Sequence, residues 1–595
     1  MKRLAAIAVL GFVSACSCDK PKEVDAGVPD AGPLALTEKE PNDGPDKALA
    51  ISGRAVVQAN LGADPKAVDE DWYAVQTSLP RTASVKVTAP TGADVSIEVM
   101  DEARTTLLSV NAAGPGEEEK LPNLDVSGRA FFRVLGLKKG TGGAYAVTVD
   151  LTDRQPGFEL EPNNRQVDAT SVALGSAVSG YLSHPQDEDW YRFELPGAAE
   201  EPAAVDSGWA PEPAVDAGEG QELGQGGTTG AAAKDPDAGA VVVPDAEKVP
   251  LRIDISAVDG VRPEITVLTI AEAVLFNAKS GQDGAGLSLR NVGIRKQDRV
   301  IFVVVKSAAA GTGKDAKKGH NAGSYYTLTV SPEEAGASAE LEPNDDIEKA
   351  TTLSVDSWKE GFLSPRGDAD YFRLSVAQPS IADISVTGVD KVDLQLLLVK
   401  QGEKGEEVLA KANEGAVKEP EALHSLTCEK ECVLKVEVVP RKVDGKWVRD
   451  QENGEMAYRI SSQVTPDDGT REKEPNDKPE YGSPIGLSAA VRGTIYPRKD
   501  VDLFKLDLTA KQVKTPLKAT LTGILKVDVA LYLHRLNEEG KLELMQTSDR
   551  AKGDKPEVVR FSAEPGVYLF EVRDTKNREA NIQDQYQLTV EESDD

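Results

Sequence analysis

The sequence predicts an all-β protein that contains four tandem β-sandwich domains. An acidic phrase, Glu-x-Glu-Pro-Asn followed by Asp or Asn, occurs four times in the 595 residues, and an Asp-x-Asp pair follows each copy. After each pair, apolar residues alternate with polar ones, which is the period of a strand with one buried face. Each copy closes on a strand that begins with tyrosine. Short strands with few helical patterns are typical of β-sandwiches.

The N-terminus is predicted to be a targeting signal. Two basic residues precede an apolar run, 4–13, which is too short to cross a bilayer. The run ends at Val13-Ser14-Ala15-Cys16, which resembles the lipobox of bacterial lipoproteins. Cleavage there would remove residues 1–15 as a signal peptide and leave Cys16 as the lipidation site of an extracytoplasmic protein. Ser17 after the anchor favours the outer membrane, and ordinary secretion with cleavage nearby is the alternative.

Two stretches rich in Pro, Gly and Ala contain no strand pattern. Residues 16–36 are predicted to be a disordered tether, and residues 197–250 a disordered insertion, since both contain repeated Asp-Ala-Gly phrases. The domains, named modules 1 to 4 below, are then predicted to span 37–152, 157–332, 338–465 and 470–592.

The acidic phrase supplies oxygen ligands at a repeated spacing. The interval from its second Glu to the second Asp is 28 residues in three copies, Glu161 to Asp189, Glu342 to Asp370 and Glu474 to Asp502, and 31 residues from Glu40 to Asp71. Calcium takes six to eight oxygen ligands, so carboxylates grouped with an amide oxygen suit it. The alternative is that the phrase is only a turn signature and that Asp-x-Asp ends a hairpin.

The order of these motifs resembles the bacterial pre-peptidase C-terminal domain. Between phrase and Asp pair this sequence has Gly180-Tyr181-Leu182, Gly361-Phe362-Leu363 and Gly493-Thr494-Ile495, and module 1 departs from the pattern with Ala59-Asn60-Leu61. The resemblance implies small, jelly-roll-like β-sandwiches. Because the related collagen-binding domain of clostridial collagenases binds calcium through a similar segment, it also implies Ca²⁺ at two or more of the sites.

The ligands that the resemblance implies come from both ends of each repeat. They are Glu38, Glu40, Asn42, Asp43, Asp69 and Asp71 in module 1; Glu159, Glu161, Asn163, Asp187 and Asp189 in module 2; Glu340, Glu342, Asn344, Asp345, Asp368 and Asp370 in module 3; and Glu472, Glu474, Asn476, Asp477, Asp500 and Asp502 in module 4. Asn164 replaces an acid in module 2, so modules 3 and 4 are expected to hold calcium best.

Cysteines and aromatic residues supply three further predictions. Cys428 and Cys432 are expected to form a disulfide that closes a tight hairpin, the alternative being a metal or redox pair for which only His424 is near. Trp72, Trp190 and Tyr371 follow the second Asp and are candidate ligand contacts, unless they pack under a loop. His184 is expected to be an exposed loop residue, with the rim of the second site as the alternative.

Charge and motifs narrow the function. A net charge of −31 argues against nucleic-acid binding and against membrane attachment by charge, so the membrane is expected to be contacted only through the lipid. The sequence contains no His-Glu-x-x-His, no Gly-x-Ser-x-Gly and no phosphate-binding loop, so an enzyme is not predicted. The expectation is a lipid-anchored cell-envelope protein that binds protein, polysaccharide or matrix at the cell surface. A structural spacer, or an accessory lipoprotein of a secreted hydrolase, remains open.

Overall fold

In the described residues the regular secondary structure is almost entirely β-strand. The computed structural model describes residues 32–196, 248–310, 316–334, 336, 338–511, 516–537, 539–550 and 555–593. The helical element of these ranges is one short 3₁₀ helix, η1, Gln166–Asp168. No helix in the described part of the chain is long and apolar enough to cross a membrane. The predicted signal peptide, Cys16 and almost all of the predicted insertion lie outside the described residues.

Module 1 contains two five-stranded sheets. Their strand orders are β1-β3-β10-β5-β8 and β2-β4-β9-β6-β7. The strands are β1 Leu34–Thr37, β2 Leu49–Ile51, β3 Ala55–Leu61, β4 Glu70–Gln76, β5 Arg81–Thr88, β6 Val95–Met100, β7 Thr106–Val110, β8 Glu118–Val126, β9 Arg129–Gly136 and β10 Gly143–Asp153.

The described part of module 2 repeats this arrangement, with one strand fewer in its two main sheets and an added two-stranded sheet. Its main sheets have the orders β11-β13-β18-β15-β16 and β12-β21-β14-β17, and β19 pairs with β20. The strands are β11 Thr170–Ser171, β12 Ala177–Gly180, β13 Glu188–Glu194, β14 Lys248–Ile255, β15 Pro263–Thr269, β16 Val274–Lys279, β17 Leu287–Arg295, β18 Val300–Ser307, β19 Ala309–Ala310, β20 Lys317–Lys318 and β21 Tyr326–Pro332.

Module 3 has the same two main sheets and an added hairpin. The orders are β22-β24-β29-β26-β27 and β23-β32-β25-β28, and β30 pairs with β31. The strands are β22 Thr351–Leu353, β23 Trp358–Leu363, β24 Ala369–Ser375, β25 Ser380–Val386, β26 Leu394–Gly402, β27 Gly405–Ala412, β28 Glu421–Cys428, β29 Glu431–Val438, β30 Arg441–Val443, β31 Lys446–Val448 and β32 Asn453–Pro466.

The described strands of module 4 form the two main sheets and no further sheet. Their orders are β33-β35-β40-β37-β38 and β34-β41-β36-β39. The strands are β33 Ser483–Pro484, β34 Ala490–Ile495, β35 Val501–Leu508, β36 Leu517–Leu521, β37 Val529–Leu536, β38 Leu542–Ser548, β39 Glu557–Phe561, β40 Gly566–Asp574 and β41 Asn581–Glu592.

Both main sheets of a module contribute to one apolar core. In module 3, Phe372 and Leu374 of β24 and Tyr458 of β32 belong to the same buried cluster, although their strands lie in different sheets. The other modules have equivalent clusters. The predicted alternation after each Asp pair therefore describes one face of a strand, as period-two burial requires.

Two predicted boundaries differ from the structure by a few residues. Leu34–Thr37 forms β1 and pairs in parallel with β3, so the end of the predicted tether belongs to module 1. Lys248, at the end of the predicted insertion, already begins β14. The predictions missed these residues because the composition of each segment resembles a linker, whereas pairing with a neighbouring strand makes it part of a sheet.

The two cysteines of module 3 are bonded to each other. Cys428 ends β28 and Cys432 lies in β29, and a disulfide joins them. The expected tight hairpin is wrong, because β28 and β29 belong to different main sheets. The disulfide therefore bridges the two sheets at the turn that connects them.

Candidate metal centres

Each module brings three carboxylates of the repeat into one cluster. One oxygen from each lies within 4.8 Å of the others, in four groups: Glu38, Glu40 and Asp71; Glu159, Glu161 and Asp189; Glu340, Glu342 and Asp370; and Glu472, Glu474 and Asp502. The two Glu residues come from the acidic phrase and the Asp from the following strand. These groups are all oxygen donors, which is the chemistry that binds hard divalent cations.

The first Glu of each cluster is held by a backbone amide. In modules 2 and 3, Oε1 of Glu159 and of Glu340 accepts the N–H of the residue after the motif glycine at 2.6 Å. Equivalent bonds reach Glu38 from Asn60 at 2.5 Å and Glu472 from Thr494 at 3.0 Å. One oxygen of this carboxylate is therefore fixed, and the other is directed toward the cluster.

The second Glu is held by its own segment. In modules 2 to 4, its Oε2 accepts the backbone N–H of the Asn two residues later at 3.0 Å, and the equivalent distance to Glu40 is 3.2 Å. The proline between them follows a cis peptide bond in all four modules. Oε1 of Glu161 and of Glu474 is buried and has no hydrogen-bond partner among the described residues.

A tyrosine on the closing strand holds the Asp. Its hydroxyl donates to Oδ2 in every module: Tyr145 to Asp71 at 2.6 Å, Tyr326 to Asp189 at 2.5 Å, Tyr458 to Asp370 at 2.7 Å and Tyr586 to Asp502 at 2.7 Å. The sequence predicts each of these tyrosines as the first residue of a closing strand and gives it no part in the site. In the structure only β21 begins at its tyrosine, whereas the other three closing strands begin two to five residues earlier. The recurrence of the tyrosines after an otherwise variable loop was the signal that they belong to the site.

The motif glycine makes room for this arrangement. A Cβ at Gly361 would lie 2.3 Å from Oε2 of Glu340 and 2.4 Å from the Tyr458 hydroxyl. Gly180 and Gly493 are equally restricted by their own Glu and Tyr. Contacts this short cannot be accommodated without moving the carboxylate. Ala59 occupies the paired position in module 1, opposite Tyr145.

Several buried oxygens of the cluster Asp residues and of the motif Asn residues have no hydrogen-bond partner among the described residues. Oδ1 of Asp189, Asp370 and Asp502, and Oδ1 of Asn163, Asn344 and Asn476, make no hydrogen bond to any described residue. All six side chains are fully buried. Buried polar atoms are normally satisfied, so a repeated set of unsatisfied oxygens indicates that another group binds there.

The electrostatics lead to the same conclusion. Burial raises the pKa of Asp71 to about 8, against the opposing effect of the Tyr145 hydroxyl, and burial raises the pKa of Glu342 to about 8. Burial and then the neighbouring carboxylates raise the pKa of Asp189, Asp370 and Asp502 well above the usual range. Three ionised carboxylates at this distance repel one another, so the cluster requires protons or a cation. The residues present fit a bound metal ion.

The first Asp of each pair lies outside the three-carboxylate group. Its Oδ2 accepts a backbone N–H from the preceding loop: Gly62 to Asp69 at 2.5 Å, Ser183 to Asp187 at 2.6 Å, Ser364 to Asp368 at 2.8 Å and Tyr496 to Asp500 at 2.8 Å. The donor precedes the Asp by seven residues in module 1 and by four elsewhere. The longer spacer of module 1 is therefore accommodated in this loop.

The acid after the Asn is also outside the clusters. Asp43, Asp345 and Asp477 are exposed, and Asn164 of module 2 is half-buried. Module 2 has the complete three-carboxylate group despite this substitution. The replaced acid does not belong to this group, so the substitution gives no structural reason for weaker calcium binding by module 2.

The candidate contact aromatics point away from the main core but are not free. Trp72 is 0% exposed and Tyr371 is 5% exposed, and each packs in a small separate cluster, Trp72 with Phe131 and Tyr371 with Val433. Trp190 is half-buried against Phe302. Trp72 and Tyr371 therefore follow the alternative prediction, that these aromatic side chains pack under a loop.

His184 lies at the rim of the second site rather than in an exposed loop. It is 3% exposed, and its Nδ1 lies 3.4 Å from Oδ2 of Asp187. The prediction that His184 is an exposed loop residue is wrong. The side chain is buried because its loop is held in place by the backbone N–H of Ser183, which binds the Asp187 carboxylate. A large apolar side chain that the sequence did not single out is Trp447 on β31, which is 70% exposed.

Comparison with known proteins gives matches of low similarity to solved structures. No protein-family model matches the sequence. No curated protein matches it either. Among solved structures, the pre-peptidase C-terminal domain of a collagenase from Bacillus anthracis is 20% identical, and the match covers 19% of this chain and 99% of that domain with a TM-score of 0.16. The CUB1-EGF-CUB2 region of human MASP-1/3 is 9% identical over 38% of this chain and 91% of that chain, with a TM-score of 0.13.

Proposed function

We propose that this chain is a non-enzymatic, lipid-anchored cell-envelope protein whose four modules are calcium-binding β-sandwiches of the jelly-roll-like, pre-peptidase C-terminal type. The observation that carries the proposal is the fourfold carboxylate cluster, which in modules 2 to 4 includes buried oxygens with no hydrogen-bond partner among the described residues. Anchoring through Cys16 in the outer membrane completes it, and the membrane is contacted only through that lipid.

Calcium is the cation that this donor set favours. Three carboxylates and an amide oxygen supply part of the six to eight oxygens that calcium takes, and water supplies the rest. Neither nitrogen nor sulfur belongs to the three-residue groups, so they offer little to zinc or copper. Magnesium needs a more regular octahedron with shorter bonds.

Calcium binding is tested on the full chain. The wild-type protein should retain up to four calcium ions per chain by mass spectrometry after dialysis against calcium, and none after EDTA. A quadruple variant, Asp71→Asn, Asp189→Asn, Asp370→Asn and Asp502→Asn, should retain none. Equal metal content in both proteins would contradict the proposal.

The task of the modules is to bind protein or polysaccharide at the cell surface, at a distance from the anchor. The added hairpin of module 3 favours this task, because it presents Trp447 beside a cavity of about 490 Å³ that Lys411, Pro440 and Arg449 also line. Exposed tryptophan next to cationic side chains is common at binding surfaces. Nucleic acid is not a partner.

Crosslinking on intact cells tests this surface. Trp447→Ala should lose the crosslinked partner without a change in melting temperature. Trp358→Ala is the matched control, since Trp358 is 39% exposed but already covered by the Arg459 guanidinium at 4.0 Å. Identical capture of a partner by the wild type and by Trp447→Ala would contradict a binding role for this surface and favour the structural spacer described next.

The second candidate is a structural spacer whose modules set a distance and recognise no ligand. The burial of Trp72 and Tyr371 favours it, because two of the three expected contact residues are unavailable. A calcium-dependent length in solution, without capture of any protein or glycan, is its expected result. An accessory lipoprotein of a secreted hydrolase would instead co-purify with that enzyme.

A further inference from the structure

Each acidic phrase after the first contacts the preceding module as well as its own site. Glu161 donates its N–H to the Asn123 carbonyl at 2.9 Å, and its carbonyl accepts the N–H of Asp125 at 2.8 Å. Glu342 makes the same two bonds with Asn291 and Gly293, at 2.9 and 2.8 Å. The backbone of the second Glu is therefore docked on the module before it.

The third joint is built in the same way. Glu474 donates to the Ser425 carbonyl at 2.8 Å, and its carbonyl accepts the N–H of Thr427 at 2.9 Å. Each joint is a short parallel bridge, whose central partner is Leu124, Val292 or Leu426. Side-chain contacts around the joints differ, such as Arg290 over Phe362 at one and Arg471 with Asp383 at another.

The receiving strand is an edge strand with a bulge. Strands β8, β17 and β28 end their sheets, and each has a register shift against its neighbour. The bulged residue has a positive φ: 56° at Asn123, 52° at Asn291 and 55° at Ser425. Edge strands present unpaired backbone groups, and a bulge re-aims them.

Module 4 has the same edge strand without the bulge. Strand β39 pairs with β36 in unbroken register from Leu517–Phe561 to Leu521–Glu557. No described segment docks on it. The bulge therefore occurs in the three modules that carry another module, which indicates that it is the docking surface.

Docking and the carboxylate cluster share one residue. The backbone of Glu474 is held by module 3, while its side chain belongs to the module 4 cluster. Glu161 and Glu342 occupy the same position in the earlier joints. Glu40, which has no described module before it, is exposed, whereas Glu161 is 2% exposed. A cavity of about 280 Å³ at the third joint is lined by Glu474 and Asp500 from one side and by His424 from the other.

We propose that the bulged edge strand is a docking surface for the Glu-Pro-Asn segment of the following module, and that a divalent cation in that module's cluster and the docked joint stabilise each other. The inference rests on the proposed calcium sites. Without the cation, repulsion among the three carboxylates favours movement of the second Glu, and that movement strains the backbone bridge. By linkage, whatever docking adds to cation affinity, the cation adds to docking. Module 1 has no such coupling to a described neighbour.

The first experiment measures cation affinity. It uses the full chain with Asp71→Asn, Asp189→Asn and Asp370→Asn, so that only the module 4 cluster binds calcium. Thr427→Pro removes the N–H that docks Glu474 and leaves a proline on an edge strand, where proline is tolerated. Calorimetry should show calcium affinity weakened by roughly five- to 150-fold, the usual range of such coupling. Arg560→Pro, at the matched position of β39, should leave the affinity unchanged.

The second experiment measures docking in the opposite direction. Spin labels on modules 3 and 4 of the full chain should give a narrow distance distribution in calcium, which Asp502→Asn broadens. Asp71→Asn, which removes a site that docks on no described module, should leave this distribution narrow. The second experiment also decides the case if Thr427→Pro unfolds module 3, which hydrogen exchange would reveal.

The outcomes separate the two proposals. Calcium binding that Thr427→Pro does not weaken, or a distance that Asp502→Asn does not broaden, overturns the coupling and leaves the sites intact. Absence of calcium binding by the wild-type chain overturns the proposed sites and the coupling together.

Discussion

Modules 1 and 3 contain the same three carboxylates, but only module 3 has a described neighbour that covers them. Glu342 is docked on module 2 and is 6% exposed, whereas its counterpart Glu40 is exposed. Module 3 has Gly361 and Phe372 where module 1 has Ala59 and Tyr73. The burial of a cluster is therefore not a property of its module alone, since the preceding module contributes to it.

A substitution at the motif glycine should produce the largest difference between modules 1 and 3. Gly361→Ala places a Cβ against Glu340 and Tyr458, so we expect module 3 to lose about 3 kcal/mol of stability, the upper range for overpacking, and to lose its cation. Ala59→Gly in module 1 should cost only about 0.5–1 kcal/mol, through backbone entropy. Hydrogen exchange resolved by module measures both. Equal losses would show that the glycine does not shape the site.

Removal of the tyrosine hydroxyl should have the next largest effect. Tyr458→Phe leaves Asp370 without its donor, and Phe372 cannot replace it, so we expect about 2 kcal/mol of lost stability in EDTA. Tyr145→Phe should cost less, about 1 kcal/mol, because the Tyr73 hydroxyl lies 2.7 Å from that of Tyr145 and already contacts Glu38. Denaturant unfolding of each variant against wild type measures the difference. A larger cost at Tyr145 would contradict it.

Acid should stabilise the cation-free protein. The folded-state pKa of Asp71 and of Glu342 is raised to about 8, so between about pH 4 and pH 8 the folded chain binds more protons than the unfolded chain. Stability in EDTA should therefore fall as pH rises from 5.5 to 8, by on the order of 1 kcal/mol per cluster. Saturating calcium should flatten or reverse this slope, because the cation requires ionised carboxylates.

The control for this pH series is the quadruple Asp→Asn variant in EDTA. Its stability should depend less on pH, because the variant lacks one carboxyl group of raised pKa in each module. A rise in the stability of the cation-free wild type between pH 5.5 and 8 would contradict the assigned direction of the pKa shifts.

Calcium itself should have the smallest effect on stability. If dissociation constants lie in the roughly 10⁻⁴–10⁻³ M range of extracellular sites, 1 mM calcium adds about 0.4–1.4 kcal/mol per site. Because docking should strengthen calcium binding, the stabilisation by calcium should be at the upper end of this range in modules 2 to 4 and at the lower end in module 1. The loss of calcium-induced stabilisation in Asp71→Asn measures the contribution of the module 1 site, and the loss in Asp370→Asn measures that of the module 3 site. Both are obtained by melting each variant with and without calcium. A larger calcium response from module 1 would reverse the comparison.

Much of the fold could be predicted because strand periodicity is local. The alternation after each Asp pair identified the strands that carry Tyr191 and Phe504, and both residues are fully buried. The members of the clusters were likewise among the predicted ligands. The predictions failed where a side chain's surroundings come from distant parts of the chain, as at His184 and the turn between the cysteines. For Trp72 the sequence left ligand contact and packing under a loop open, and the residue is buried.

By itself the sequence determined how many copies of the acidic phrase there are, which face of the strand after each Asp pair is buried and which oxygen donors each repeat supplies. These follow from backbone period and residue chemistry, which act over a few residues. The tertiary structure alone decided which Asp of each pair joins the cluster, which tyrosine holds it and which module covers it. Those contacts join residues such as Glu340 and Tyr458, 118 positions apart, and strand order and docking bring them together.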